Sequence, residues 1–179
     1  MGGIAVNTMT YSSHLGEILL AADEAGLTGL WLEGQKYYAK GLQRREDETP
    51  VLQEAVRWLD QYFAGRQPDF TPPLHPLGTP FQQEVWALLC EIPYGQLTTY
   101  GALAAKLAEQ RGITHFSAQA VGSAVGHNPI SIIIPCHRVV GSNGSLTGYA
   151  GGLERKSRLL ALEGVDVSRL YIPKKGTAL

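Results

Sequence analysis

The chain changes its hydrophobic rhythm several times, and each rhythm predicts an element. Residues 16–22 (GEILLAA) and 27–32 (LTGLWL) are short apolar runs bounded by turn formers, the pattern of two strands. Asp23-Glu24-Ala25-Gly26 fits the loop between them, with Gly26 at a left-handed turn position. Residues 8–11 offer a third strand. From Pro50 the period lengthens. Leu52, Ala55, Val56, Leu59 and Phe63 share one face of a helix that Thr49 caps and Gly65 ends. Residues 67–76 contain four prolines, a stiff extended stretch that marks a boundary. We therefore divide the chain into an α/β scaffold domain, residues 1–75, and a second domain, residues 76–179.

The second domain reads as mainly helical. Thr79-Pro80-Phe81-Gln82 spells a capping box with proline in the first turn, and Phe81, Val85, Leu88, Leu89 and Ile92 carry the apolar stripe. Cys90, beside Trp86 on this helix, reads as a buried, inert thiol. Thr98 or Thr99 caps a helix over 100–107, and Ser117 opens another over 118–125. Two short helices on a brief loop predict helix-turn-helix. The second is built from small residues, Ala118, Ala120, Gly122, Ser123 and Ala124. Tight core packing and close approach to a nucleic-acid backbone explain this equally well. Residues 131–134 (SIII) predict a buried strand that Pro135 stops, leaving Cys136 just past a strand end beside His137 and Arg138. Asn128 suits either a turn role or a reach toward Cys136. The glycine-rich segment 141–152 turns at Asn143-Gly144, and a last helix over 153–163 ends at Gly164. Glu163 opposes the dipole of that helix, at a cost of roughly 0.3–1 kcal/mol. A carboxylate that orients a histidine and a solvated glutamate at a frayed end are the two explanations.

Composition narrows the classes. The 179 residues are 44% hydrophobic and 17% charged, as in a globular protein, and no apolar run reaches bilayer length. The first residues lack a basic-then-apolar export signal, so the expected location is cytoplasmic. Two cysteines without a CxxC pair give no thiolate zinc site. The net charge of −1 conceals an asymmetry. Residues 1–75 carry 10 acidic and 6 basic side chains, and residues 76–179 carry 6 and 9. A mildly basic second half is compatible with nucleic acid and equally with an uneven surface.

Pro135-Cys136-His137-Arg138-Val139 resembles the active-site signature of the methylated-DNA–protein-cysteine methyltransferases. Gly78-Thr79-Pro80-Phe81-Gln82, Pro93-Tyr94-Gly95, Thr99-Tyr100-Gly101, Ala120-Val121-Gly122, Asn128-Pro129, Gly148-Tyr149-Ala150-Gly151-Gly152 and Leu162-Glu163-Gly164 follow in that family's order and spacing. The resemblance implies a ribonuclease-H-like α/β N-terminal domain and a winged helix-turn-helix C-terminal domain. It implies repair of O6-methylguanine, with O4-methylthymine, in double-stranded DNA by base flipping from the minor groove, without metal or cofactor, by a monomer that can bind cooperatively.

Carried over by position, Cys136 is the nucleophile and alkyl acceptor. His137 is its base through a water, and Glu163 polarises His137. Asn128 contacts the thiol, and Tyr100 donates a proton toward guanine N3. Tyr149, Val139, Ala150 and Val125 line the base pocket, with the carbonyls of Cys136 and Val139 and the amide of Ala150 reading the base edge. Gln119, Ala120, Gly122 and Ser123 face DNA, and Arg138 is structural. Gln119 departs from the family's usual arginine. Three rivals remain at this stage: a cysteine hydrolase, which lacks an oxyanion-hole motif; a non-catalytic DNA binder, which would lack the cysteine; and a redox thiol, which lacks a resolving partner.

Overall fold

The computed structural model describes residues 4–172, which form two compact units. One comprises residues up to Leu77 together with Pro129–Ile133; the other comprises Gly78–Asn128 and the chain from Ile134 onward.

The first unit is a four-stranded sheet with one helix. Strands β1 (Ile4–Ser13), β2 (Gly16–Ala22), β3 (Leu27–Leu32) and β4 (Leu42–Arg45) lie in the order β3-β2-β1-β4, with β4 parallel to β1 and the other pairs antiparallel. The expected third strand, residues 8–11, is the middle of the much longer β1. Helix α1 (Pro50–Phe63) starts where Thr49 accepts from the Leu52 amide. Its buried face is Leu52, Ala55, Trp58, Leu59 and Tyr62; Val56 and Phe63 are only half-buried, because the aromatic rings Trp58 and Tyr62 claim the centre of the stripe. Tyr11, directly opposite Ile18, donates to Asp60 at 2.8 Å, so α1 covers the sheet face that carries Ile18. Leu19, Ala21 and Trp31 gather with Val6 and Ala39 in a separate cluster.

Two other pieces of chain close the open edge of β3. The proline-rich stretch lies along it, with Leu27 donating to the Pro73 carbonyl and His75 donating to the Leu27 carbonyl, both at 2.7 Å. Gly26 has φ +157° rather than a left-handed turn value, and a Cβ there would stand 2.6 Å from the Pro73 oxygen. Its lack of a side chain admits this segment. Residues 129–133 take the next position: Leu30 donates to the Pro129 carbonyl and accepts from Ser131. Covering an edge removes unpaired backbone groups that would otherwise recruit another strand.

The second unit is mainly helical. It contains α2 (Pro80–Cys90), β5 (Thr98–Thr99), α3 (Tyr100–Gln110), α4 (Ala118–Gly126), a 3-10 turn at Cys136–Arg138, β6 (Val139–Val140), α5 (Leu153–Leu162) and a second 3-10 turn at Val167–Arg169. Each helix start uses a side-chain cap where the sequence offers one. Thr79 and Gln82 form the reciprocal capping box, Thr99 accepts from the Ala102 amide, and Ser117 accepts from the Ala120 amide. Helices α2 and α3 both pack on α4, and Trp86 donates from its indole to the Ala124 carbonyl at 2.9 Å. β5 and β6 pair in parallel over two residues. Among the described residues no helix is long and apolar enough to cross a membrane.

The isoleucine run is the main departure from expectation. Residues 131–134 are buried but are not a strand; they turn, with Ile132 at φ +71°. A β-branched residue in that region is unusual. Here the run must first hydrogen-bond along β3 and then leave it within three residues. Apolar composition reports burial, and it cannot by itself report extension. Cys136 accordingly opens a 3-10 turn instead of following a strand end.

Candidate active site

The 3-10 turn brings three consecutive chemistry-bearing side chains, Cys136, His137 and Arg138, into the interior, 5%, 0% and 7% exposed. The turn is held at both ends. Asn128 donates from Nδ2 to the Ile134 carbonyl at 2.9 Å, Cys136 N–H reaches the same carbonyl at 2.8 Å, and Val139 N–H closes onto the Cys136 carbonyl. Asn128 therefore supports the turn. Its amide also favours the thiolate of Cys136. Burial pushes the Cys136 thiol up; the Asn128 bond, the Lys156 charge and the amides of Cys136 and His137 oppose that.

Glu163, the residue that caps the C-terminus of α5, is the hub of the site. Its side chain is fully buried, and each oxygen is engaged. Oε2 meets His137 Nε2 at 2.5 Å, and Oε1 accepts from Arg138 Nε at 2.8 Å and from the Gly95 amide at 3.0 Å. Burial alone would raise this carboxyl, but the bonds from His137, Arg138 and Gly95 outweigh it and hold the pKa at about 2. Glu163 is thus an anion at neutral pH and accepts only. It follows that Nε2 of His137 carries the hydrogen. Burial in turn lowers the His137 pKa, against the pull of Glu163, so the imidazole is neutral and Nδ1 is its basic nitrogen. Arg138 also donates to the Ile92 carbonyl at 2.7 Å and lies over the Tyr94 ring. It binds backbone, as expected, and the catalytic glutamate candidate as well.

Tyr100, at the start of α3, donates to the Thr147 carbonyl at 2.8 Å, and burial pushes its hydroxyl far above the usual range. Tyr149 is 7% exposed, Val139 and Val125 are buried, and Ala150 is half-buried. On α4, Gln119 and Ser123 are exposed on one face at i and i+4, and Ala120 is half-buried. Gly122 is buried, so it belongs to the packed side of α4 and not to the outward face expected of it. Cys90 also differs from expectation: it is exposed at the end of α2. Among the described residues no group of three or more His, Cys, Asp or Glu side chains converges as a metal ion would require.

One residue of the site went unnoticed in the sequence. Lys156 is wholly buried, donates to the Thr147 carbonyl at 2.8 Å and lies 5.9 Å from the Tyr100 ring centre. Burial draws its pKa down to about 8, and the charge on Cys136 resists this. A signal existed: Lys156, Leu159, Leu160 and Glu163 fall at i, i+3, i+4 and i+7, so a lysine occupies the apolar stripe of α5.

A buried thiol beside a neutral histidine oriented by a carboxylate is an arrangement for nucleophilic chemistry. Comparison with known proteins identifies a family. Residues 80–165 match the 6-O-methylguanine DNA methyltransferase DNA binding domain, and residues 7–76 match the ribonuclease-like domain of the same enzyme. The methylated-DNA–protein-cysteine methyltransferase of Haemophilus influenzae is 43% identical over 165 residues, spanning 92% of this chain and 87% of its own. That of Methanosarcina acetivorans is 46% identical over 155 residues, 86% of this chain and 96% of its own. The crystal structure of Mycobacterium tuberculosis OGT in complex with DNA superposes with a TM-score of 0.73 at 40% identity, covering 93% of this chain and 95% of that one. With both domains matched in order and relatives above 40% identity over most of its length, the chain belongs to the methylated-DNA–protein-cysteine methyltransferase family.

Proposed function

We propose that this protein repairs alkylated DNA by moving the alkyl group of O6-methylguanine, and of O4-methylthymine, onto Cys136 in a single irreversible turnover. The observation that carries the reading is the His137–Glu163 pair, fully buried and joined at 2.5 Å, with His137 on the same turn as the buried thiol. The first unit acts as a ribonuclease-H-like scaffold, and the second as a winged helix-turn-helix whose α4 presents Gln119 and Ser123 to the minor groove of double-stranded DNA. The protein works as a cytoplasmic monomer, without cofactor or metal.

The target oxygen is inaccessible inside the duplex, so the nucleotide must be flipped out, and a damaged pair costs less to open. His137 Nδ1 then takes the thiol proton through a water, and Glu163 stabilises the resulting imidazolium. The thiolate attacks the methyl carbon. An S–C bond forms, the C–O6 bond breaks, and its electron pair stays with the guanine. Tyr100 leaves the Thr147 carbonyl and donates a proton toward guanine N3. Asn128 steadies the thiolate, while Tyr149, Val139, Ala150 and Val125 enclose the base. The product is a thioether that water does not release.

Mass spectrometry tests this directly. Incubation with O6-methylguanine DNA is expected to add one methyl group, ~14 Da, to the Cys136 peptide once per molecule, and Cys136→Ala to abolish transfer. Repeated turnover, or methylation elsewhere in Cys136→Ala, would sink the mechanism. Turnover on a simple ester would favour a cysteine hydrolase instead.

A further inference from the structure

Lys156 is the least expected residue of the interior. It is among the largest fully buried side chains, and no carboxylate stands within ion-pair distance of its ammonium among the described residues. A buried cation without an anion is strongly disfavoured against an apolar residue of similar volume. Methionine at this point in the stripe would pack as well and cost less. The charge therefore has a use.

The groups around it are few. The 3-10 turn supplies Cys136 and His137, and α3 supplies Tyr100. Glu163 is committed to His137, Arg138 and Gly95. Arg138 is a cation, and His137 is neutral or, after proton transfer, cationic. Tyr100 donates to the same Thr147 carbonyl that Lys156 holds. The group left to become an anion opposite Lys156 is the thiol of Cys136.

We propose that Lys156 is the counter-cation of ionised Cys136, aimed by the Thr147 carbonyl, and thus a positioning residue for alkyl transfer. The inference rests on the reading of Cys136 as nucleophile. When His137 removes the thiol proton, the sulfur carries a full negative charge until the S–C bond forms. Lys156 neutralises that charge without giving up a proton, and the guanine's proton still comes from Tyr100. The mutual influence of the two groups is consistent with this: Lys156 favours the thiolate, and the thiolate favours the protonated lysine. The shared acceptor has its own role. A carbonyl offers two lone pairs, so Thr147 remains bonded to Lys156 when the Tyr100 hydroxyl departs for the base.

Iodoacetamide reads the thiolate of Cys136 with no DNA present, and peptide masses separate it from exposed Cys90. Lys156→Met is expected to slow alkylation of Cys136 about tenfold at pH 7.5 and to move its pH profile up by about one unit. Lys156→Gln keeps an N–H donor and loses the charge, so it is expected to follow Lys156→Met. Wild-type reactivity in Lys156→Gln would overturn the proposal. A second measurement does not depend on how those variants fold. The Cε resonance of Lys156, followed by NMR against pH, is expected to titrate at lower pH in Cys136→Ala than in the wild type; an unmoved titration would also overturn it. If the thiol behaves as described but O6-methylguanine DNA leaves it unmodified, the functional reading fails and the ion pair stands.

Discussion

Glu163 shows how much one side chain can hold. Its two oxygens tie the 3-10 turn, the loop at Gly95 and the end of α5 into one cluster. Glu163→Gln is expected to lower the rate constant of alkyl transfer by at least about 10²-fold, measured in single turnover, because the histidine loses the anion that stabilises its charged form. The same variant leaves the Arg138 guanidinium buried without its carboxylate, a change of about 3–5 kcal/mol in urea unfolding. Acid acts on this group with a definite sign. A carboxyl lowered from 4.5 to about 2 stabilises the fold above pH 4.5, and that contribution disappears as pH falls through 2. The stability gap between wild type and Glu163→Gln should therefore close over that interval. His137 works in the opposite sense for activity. Burial keeps it neutral, so the acid limb of the alkyl-transfer rate is expected below pH 6.5, the ordinary histidine value. At this scale the sequence was legible where residue order carries meaning: Cys136, His137 and Glu163 stood out from their neighbours. Lys156 did not, because charge on a short helix with two other basic residues, Arg155 and Arg158, reads as solvated surface until the apolar phase of α5 is followed through it.

Elements were legible where local chemistry decides them. Thr49, Thr79, the pair Thr98–Thr99 (of which Thr99 caps) and Ser117 marked four helix starts, since capping is a property of adjacent residues. The isoleucine run misled because its burial is tertiary: it turns, and β3 supplies its neighbours. Helix α4 is seated by a contact the sequence did not announce, the Trp86 indole on the Ala124 carbonyl. A Cβ at Gly78 would fall 2.3 Å from the Trp86 ring, so Gly78→Ala must displace that indole. A loss of about 1–3 kcal/mol is expected in denaturant unfolding, with weaker binding to DNA as α4 loosens. On the outward face of the same helix, Gln119→Arg is expected to tighten DNA binding and to steepen its dependence on salt by about one phosphate equivalent. An unchanged salt slope would mean that this face does not meet the backbone.

At the scale of the whole molecule, the chain does not respect a single boundary. The segment 129–133 returns to the first unit and pairs with Leu30 before the turn at Cys136 begins. No pattern in the sequence announces such a return, because it depends on which strand edge is left open. The Leu30 amide is expected to exchange with solvent as slowly as the core of the sheet in the intact protein, and quickly in a fragment ending at Leu77. Hydrogen exchange followed by NMR separates the two outcomes. The burial of Cys136 has a consequence of a different kind. A protein that reacts once must wait, sometimes for its whole lifetime, with its sulfur intact. Oxidants act on thiolates that solvent can reach. A nucleophile covered until a flipped base arrives is also one that peroxide reaches slowly, so the burial that shields the sulfur in the resting protein is what lets an unreacted molecule persist.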